Sequence, residues 1–116
     1  MPFLVSLDHL VLTVSDLQKT LDFYCGVLGC EEVTFGDKRK AIRFGDQKIN
    51  LHVKGNEIVP HALCPAPGSA DLCFFKHRTG GSLSRTLQGA RYCGGIGTGR
   101  AHGRNRKPFI YLRARP

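Results

Sequence analysis

The sequence predicts an α+β fold, in which a βαβββ module is followed by the start of a second, incomplete module. Three observations predict this fold: a Leu- and Val-rich stretch at residues 3–14, an amphipathic stretch after it, and three short alternating segments separated by Gly-Asp turns. A linker with three prolines, at residues 59–68, precedes one further strand. The predicted domain therefore covers residues 1–75, and a basic tail covers residues 76–116.

The first strand and the helix are predicted from alternation and capping signals. Residues 3–14 alternate as a strand does, and His9 lies on one face of it. Ser15 is the predicted N-cap of the helix, with Gln18 three residues later as in a capping box. Apolar residues then recur at three- and four-residue steps, and Gly29 is the predicted left-handed C-cap. One amphipathic helix is therefore expected between Ser15 and Gly29.

Three strands are predicted next, at residues 31–35, 40–44 and 48–54, and one more after the linker, at residues 69–75. The turns at Gly36 and Gly45 suit tight hairpins. In the strand at 48–54, apolar and polar residues alternate, and His52 falls on the polar face. One helix can cover only one face of such a sheet, so a second module is expected to cover the other.

Charge is divided unevenly along the chain. The whole chain has a net charge of +8, yet residues 1–75 carry a net −2 and residues 76–116 carry +10 with no acidic residue. A chain uniformly adapted to an acidic partner is therefore excluded. No signal peptide or membrane span is predicted. The five cysteines include no C-x-x-C pair, which indicates buried thiols in a reducing compartment, and we expect a cytoplasmic protein.

Four segments closely resemble the vicinal oxygen chelate superfamily of glyoxalases, fosfomycin-resistance proteins and ring-cleaving extradiol dioxygenases. These segments are LDHLVLTV at 7–14, TLDFYCGVLG at 20–29, RKAIRFGDQKINLH at 39–52 and PGSADLCF at 67–74. The nearest branch is the glyoxalase domain-containing protein 5 type. The resemblance implies paired βαβββ modules whose sheets curl around a divalent metal ion, and it implies chemistry on a small oxygenated molecule.

The resemblance also implies metal ligands. Position by position, His9 matches the ligand on the first strand, His52 a ligand on the fourth strand, and Asp71 the ligand that opens the second module. Two imidazoles and a carboxylate suit Zn²⁺, Ni²⁺, Fe²⁺ or Mn²⁺. The family's last ligand is a Glu after a D-P-D-G-N turn, but no acidic residue follows Asp71 here. No catalytic residue is therefore assigned, and an inactive chain is among the expectations.

The basic tail resembles the product of a shifted reading frame. Shifting the codons of residues 94–107 by one base permits stretches such as Glu-Glu-Leu-Gly-Pro and Arg-Thr-Gly-Ala-Thr-Gly, which resemble the family's sequence at this distance. The original frame resembles the family again at residues 109–113, FIYLR. Residues 76–108 and 114–116 are therefore predicted to be frameshifted, and much of the tail to be disordered.

Three functions stay open from the sequence. The first is a metal-dependent lyase or isomerase, dioxygenase or transferase acting on a small-molecule substrate. The second is a non-catalytic module that binds a small ligand. The third is nonspecific nucleic-acid binding through the tail, where Gly94–Arg100 is taken as a flexible basic segment. The small number of aromatic residues there argues against this function. A homodimer is a further expectation, because the first module alone would leave a sheet face uncovered.

Overall fold

The computed structural model describes residues 2–75, 94–100 and 108–114. The chain divides into two compact units, Met1–Ala66 and Pro67–Pro116. The strand predicted after the linker therefore belongs to the second unit, as the first strand of a second module should. The domain boundary after residue 75 stays a prediction, and the disorder predicted for most of the tail lies outside the described residues.

The first unit contains a four-stranded sheet in the order β1-β4-β3-β2. Its strands are β1 (Leu10–Val14), β2 (Glu31–Phe35), β3 (Arg39–Phe44) and β4 (Gln47–Val53). β1 pairs in parallel with β4, whereas β2–β3 and β3–β4 are antiparallel hairpins. With the helix between β1 and β2, this arrangement confirms the predicted βαβββ module.

The first strand is shorter than predicted, because the structure begins β1 at Leu10. Phe3, Leu4, Val5 and Leu7 lie outside the strand, and each is at least 72% exposed. Apolar composition predicted a strand there, but strand pairing needs a neighbouring backbone as well as suitable side chains. The ladder with β4 includes only residues 10–14 of this segment.

The helix differs from the prediction at its start and in its pitch. Asp16 is the N-cap, and its carboxylate accepts a hydrogen bond from the Lys19 N–H at 3.0 Å, so Ser15 lies one residue too early. The helix α1 (Leu17–Leu21) continues directly as a π-helical segment, Asp22–Val27. Gly29 has φ 76°, which confirms the predicted left-handed C-cap.

The core lies between this helix and one face of the sheet. Strand pairing places Leu10, Leu12 and Val14 on the same face as Ile49 and Leu51. The most deeply buried apolar side chains include Val14, Leu21, Phe23, Ile42, Ile49 and Leu51. Leu21 and Phe23 come from the helical segment and α1 contacts β4. We call this side of the sheet the apolar face, and the opposite side the polar face.

The burial of Tyr24 in the helical segment predicts that its phenol ionises only at unusually high pH. Burial raises the pKa of the Tyr24 phenol to about 12, and Cys30 adds to the effect. In an ultraviolet titration of tyrosinate, we expect a component that ionises well above the ordinary value near 10. The Tyr24→Phe variant should lose that component. A wild-type curve without any late component would contradict this prediction.

The second unit contains a three-stranded antiparallel sheet in the order β5-β7-β6. Its strands are β5 (Asp71–Phe75), β6 (Gly94–Arg100) and β7 (Pro108–Ala114). β7 confirms the strand indicated by the family-like residues 109–113. The prediction that Gly94–Arg100 is a flexible segment is wrong, because its backbone pairs with β7 along all seven residues. Its four glycines argued against a strand, because glycine is depleted in strands.

Two other sequence-based expectations can be compared with the structure. Cys64 and Cys73 are exposed and Cys25 and Cys30 half-buried, so the prediction of buried thiols is wrong for the described cysteines. Within the part of the chain that the structure describes, no helix is long and apolar enough to span a membrane.

Candidate functional site

The polar face of the first sheet carries two of the three predicted ligands. In the β1–β4 ladder, Thr13 pairs with His52 and Val11 with Asn50, so these side chains share a face. Extending the register by one residue beyond Leu10 places His9 opposite Lys48. Alternation continued back from Val11 would put His9, one residue before β1, on the same side of the sheet as His52.

His9 is oriented by the residue before it. Its Nδ1 lies 2.6 Å from Asp8 Oδ2. A carboxylate can only accept a hydrogen bond, so Nδ1 is the donor and the lone pair of the ring is on Nε2. The hydrogen bond from His9 lowers the pKa of Asp8, and the charge of Lys48 contributes to that shift. Metal-binding imidazoles commonly donate their other N–H to a carboxylate in this way.

His52 has a different environment, because it is buried with 8% of its surface exposed. Its Nδ1 is buried without a hydrogen-bond partner. Burial lowers the pKa of the imidazole, and the charges of His61 and Arg39 lower it further, against an opposing effect of Glu57. His52 is therefore neutral at pH 7 and able to offer a lone pair to a metal ion or a proton.

Asn50 is a candidate site residue that the sequence did not single out. It lies two residues before His52 on β4, and its side chain shares the polar face. Its Oδ1 is also buried without a hydrogen-bond partner. The only signal in the sequence was its place in the polar alternation of β4. Burial, which distinguishes it from an ordinary surface asparagine, is not visible there.

The register separates the two histidines along the face. His9 precedes β1 by one residue, and Thr13, four residues after His9, is the residue that pairs with His52. At about 3.3 Å per residue, this offset is about 13 Å, and side chains stand roughly perpendicular to a sheet. Two nitrogens bound to one ion lie only about 4 Å apart, since each metal–nitrogen bond is about 2 Å. The structure thus places His9 and His52 on one face without bringing them to one point.

Asp71 is the third predicted ligand, and it is the first residue of β5 in the second unit, where it is exposed. No group of three or more His, Cys, Asp or Glu side chains is gathered for a metal ion among the residues that the structure describes. The ligand set His9, His52 and Asp71 therefore stays a prediction, with His9 and His52 assigned to different parts of the face.

The cations of β3 differ in their partners. Arg43 forms an ion pair with Glu31 at 2.7 Å, and Lys40 one with Glu32 at 2.8 Å. Arg39 precedes them on β3 and lies near enough to His52 to act on its charge. In residues 2–75, it forms no ion pair with a carboxylate. The polar face thus has one arginine whose charge is not neutralised by a neighbouring acid.

Comparison with known proteins identifies the fold. The family model of the Glyoxalase/Bleomycin resistance protein/Dioxygenase superfamily matches residues 6–82, which include His9, His52 and Asp71. The chain belongs to this superfamily. The match confirms the resemblance seen in the sequence, and it ends at residue 82, inside the segment predicted to be frameshifted. The assignment to the glyoxalase domain-containing protein 5 branch stays a prediction.

Two curated members of the superfamily are similar to this chain. Glyoxalase domain-containing protein RDO1 of Mycosarcoma maydis is 55% identical over 83 residues, which are 72% of this chain and 47% of that protein. Virulence protein STM3117 of Salmonella typhimurium is 60% identical over 68 residues, which are 59% of this chain and 47% of that protein. The chain thus spans about half the length of these relatives.

Solved structures of the superfamily resemble the chain along nearly its whole length. The crystal structure of virulence protein STM3117 from Salmonella typhimurium superposes with a TM-score of 0.78 and 41% identity, covering 97% of this chain and 90% of that one. An integron cassette protein from V. cholerae gives a TM-score of 0.77 and 39% identity, covering 98% and 90%. Both likenesses support the α+β fold of the superfamily.

Sequence identity to the Salmonella protein is concentrated in one part of the chain. The 68-residue match at 60% contains about 41 identical residues. The structural superposition at 41% identity over 97% of the 116 residues contains about 46. Nearly all the identity can therefore be accounted for by 68 residues. The frameshift hypothesis stays a prediction.

Proposed function

We propose that this superfamily member acts on a small oxygenated metabolite with the help of a divalent metal ion bound at the polar face. The observation that carries the proposal is the 2.6 Å hydrogen bond between His9 and Asp8, which leaves Nε2 of His9 as the nitrogen able to bind an ion. His9 also lies in the region matched by the family model, which extends over residues 6–82.

The donor set suits the predicted ions. The imidazole nitrogen of His9 is a ligand type that Zn²⁺, Ni²⁺, Fe²⁺ and Mn²⁺ accept. Asp71 belongs to the second unit and stays a predicted carboxylate ligand. When bound, such an ion would polarise vicinal oxygens of a substrate as a Lewis acid. The register makes His52 a poor second ligand for an ion on His9. We therefore assign His52 to the binding of substrate, or to proton transfer from its neutral ring.

The remaining residues of the polar face would bind and orient the substrate. Arg39 carries a positive charge beside His52 that would favour a substrate with an anionic group. The buried side of the sheet holds β4 rigid beneath these side chains, because Ile49 and Leu51 are anchored in the core. The described residues favour none of isomerisation, ring opening or thiol addition, so we propose the substrate class without a reaction type.

A non-catalytic ligand-binding module is the alternative. The feature that favours it is the absence of any acidic residue after Asp71, where the family places its last ligand. Ligand binding that is independent of added metal would support this alternative. Binding that requires metal would support the metal-dependent function.

Metal titration tests the proposed function. We expect the wild-type chain to bind Ni²⁺ or Zn²⁺ in calorimetric titrations, and His9→Ala to bind about tenfold more weakly or worse, because it removes a ligand. His61→Ala is the matched control, since His61 is exposed and its Nδ1 lies 2.7 Å from the Ala62 carbonyl. His52→Ala should weaken binding less than His9→Ala does. Equal affinities of the wild type and His9→Ala would contradict the metal site.

A further inference from the structure

Two buried polar atoms on the polar face have no hydrogen-bond partner, namely Asn50 Oδ1 and His52 Nδ1. Buried polar groups in folded proteins are nearly always paired, because an unpaired one loses its bonds to water without replacement. Each of these atoms is almost inaccessible to water. Among the residues that the structure describes, a neighbouring packed side chain is therefore the candidate partner for each atom.

The two atoms are chemically complementary. Oδ1 of an asparagine only accepts hydrogen bonds, whereas Nδ1 of a neutral histidine donates in one tautomer. Asn50 and His52 lie two residues apart on β4, so their side chains stand next to each other on the same face. The two atoms are not bonded to each other in the structure, so a hydrogen bond between them requires rotation about the side-chain bonds of Asn50.

Other charged groups near His52 are less suited to be its acceptor. Arg39 carries only donors. His61 is engaged through its Nδ1 with the Ala62 carbonyl. Glu57 accepts a hydrogen bond from the Gly55 N–H at 3.1 Å. Asn50 is the neighbour whose buried acceptor atom has no competing bond.

We propose that Asn50 is a positioning residue for His52: its Oδ1 accepts a hydrogen bond from Nδ1–H and thereby keeps the ring lone pair on Nε2. His9 is held in the same tautomer by Asp8. Both histidines of the polar face would then present the same ring nitrogen. The hydrogen bond itself requires no metal or substrate. Only the role of Nε2 in binding substrate or transferring a proton rests on the proposed function.

The tautomer of His52 in the metal-free protein tests the proposal. Two-bond proton–nitrogen correlation spectra of ¹⁵N-labelled protein, at about pH 8 where histidines are neutral, distinguish the two forms. The chain has five histidines, and His52→Gln assigns the signal. We expect the wild type to hold mainly the Nδ1–H form. Asn50→Leu should convert His52 mainly to the Nε2–H form, and Asn50→Asp, which keeps an acceptor, should preserve Nδ1–H.

Asn56→Leu is the matched control, because Asn56 is exposed and lies in the turn after β4. It should leave the His52 signals unchanged. A wild-type His52 that is mainly Nε2–H overturns the proposal, as does an Asn50→Leu spectrum like that of the wild type. If Asn50→Leu does not fold, the wild-type and Asn50→Asp spectra decide. Failure of the wild type to bind metal would overturn the proposed function and leave this result standing.

Discussion

Replacing Ile42 with alanine is expected to lower the free energy of unfolding by about 3 kcal/mol. Ile42 is fully buried on the apolar face, and strand pairing places it beside Ile49. Truncation removes buried methyl groups and leaves a cavity in the core between the sheet and the helix. Because both elements hold that core in place, the surrounding side chains can relax only partly. Urea denaturation followed by circular dichroism measures the loss.

Two further variants show whether the cavity is the cause. Ile42→Val removes one methylene and should cost about 1 kcal/mol. Val59→Ala removes apolar atoms from a residue that is 79% exposed, and it should change the unfolding free energy by less than about 0.5 kcal/mol. A loss for Ile42→Ala no greater than that for Val59→Ala would mean that the apolar face does not carry the stability of the first unit.

Replacing Asn50 with leucine is expected to destabilise the chain by about 2 kcal/mol, because the buried Nδ1 of His52 then has no hydrogen-bond partner in either tautomer. Replacing both residues should restore the stability. In the Asn50→Leu/His52→Leu variant no buried polar atom of the pair remains, and exchange of both partners for apolar groups is commonly neutral or stabilising. Leucine is close to both side chains in size, so no large cavity is formed.

The double variant separates stability from function. We expect it to unfold at a denaturant concentration equal to or above that of the wild type, and to lose the ligand contacts that we assign to His52. The comparison requires the four unfolding curves of a double-mutant cycle. Additive losses in the cycle would show that the two side chains do not interact, and would contradict the pairing.

Much of the first unit could be predicted from its sequence because local signals agree there. The strands at 31–35, 40–44 and 48–54 are found within one residue of their predicted bounds. Gly36 and Gly45 have φ values of 52° and 56°, as the predicted hairpin turns require. The start of the helix was misplaced because Ser15 and Asp16 are both good N-caps, and sequence alone does not show which side chain turns back to the helix.

The candidate site was less predictable, because its geometry depends on the register between strands that are distant in the chain. Alternation assigned His9 and His52 each to a face of its own strand, but only the pairing of β1 with β4 relates the two strands in space. Burial of Asn50 and His52 likewise arises from tertiary packing, which residue type does not reveal. Asp8 was not singled out, because one aspartate beside a histidine is common in any sequence.

The tail illustrates a different limit. Four of the seven residues of Gly94–Arg100 are glycines, yet its backbone pairs with β7. Backbone hydrogen bonds are available to any residue except proline, so a strand can form without a side-chain pattern. Sequencing of the gene across the codons for residues 75–116, together with the intact mass of the protein, decides whether these residues are read in their original frame.

The parallel pairing of β1 with β4 also has a kinetic consequence. Leu10 pairs with Ile49, which is 39 positions away, whereas the β2–β3 and β3–β4 hairpins join neighbours in the chain. Closing a long loop costs more entropy than closing a hairpin, so distant contacts form late during folding. His9 reaches the sheet that carries Asn50 and His52 only in that late step. The polar face is therefore completed last, and a chain in which the hairpins alone have formed has no site at which a ligand could be held.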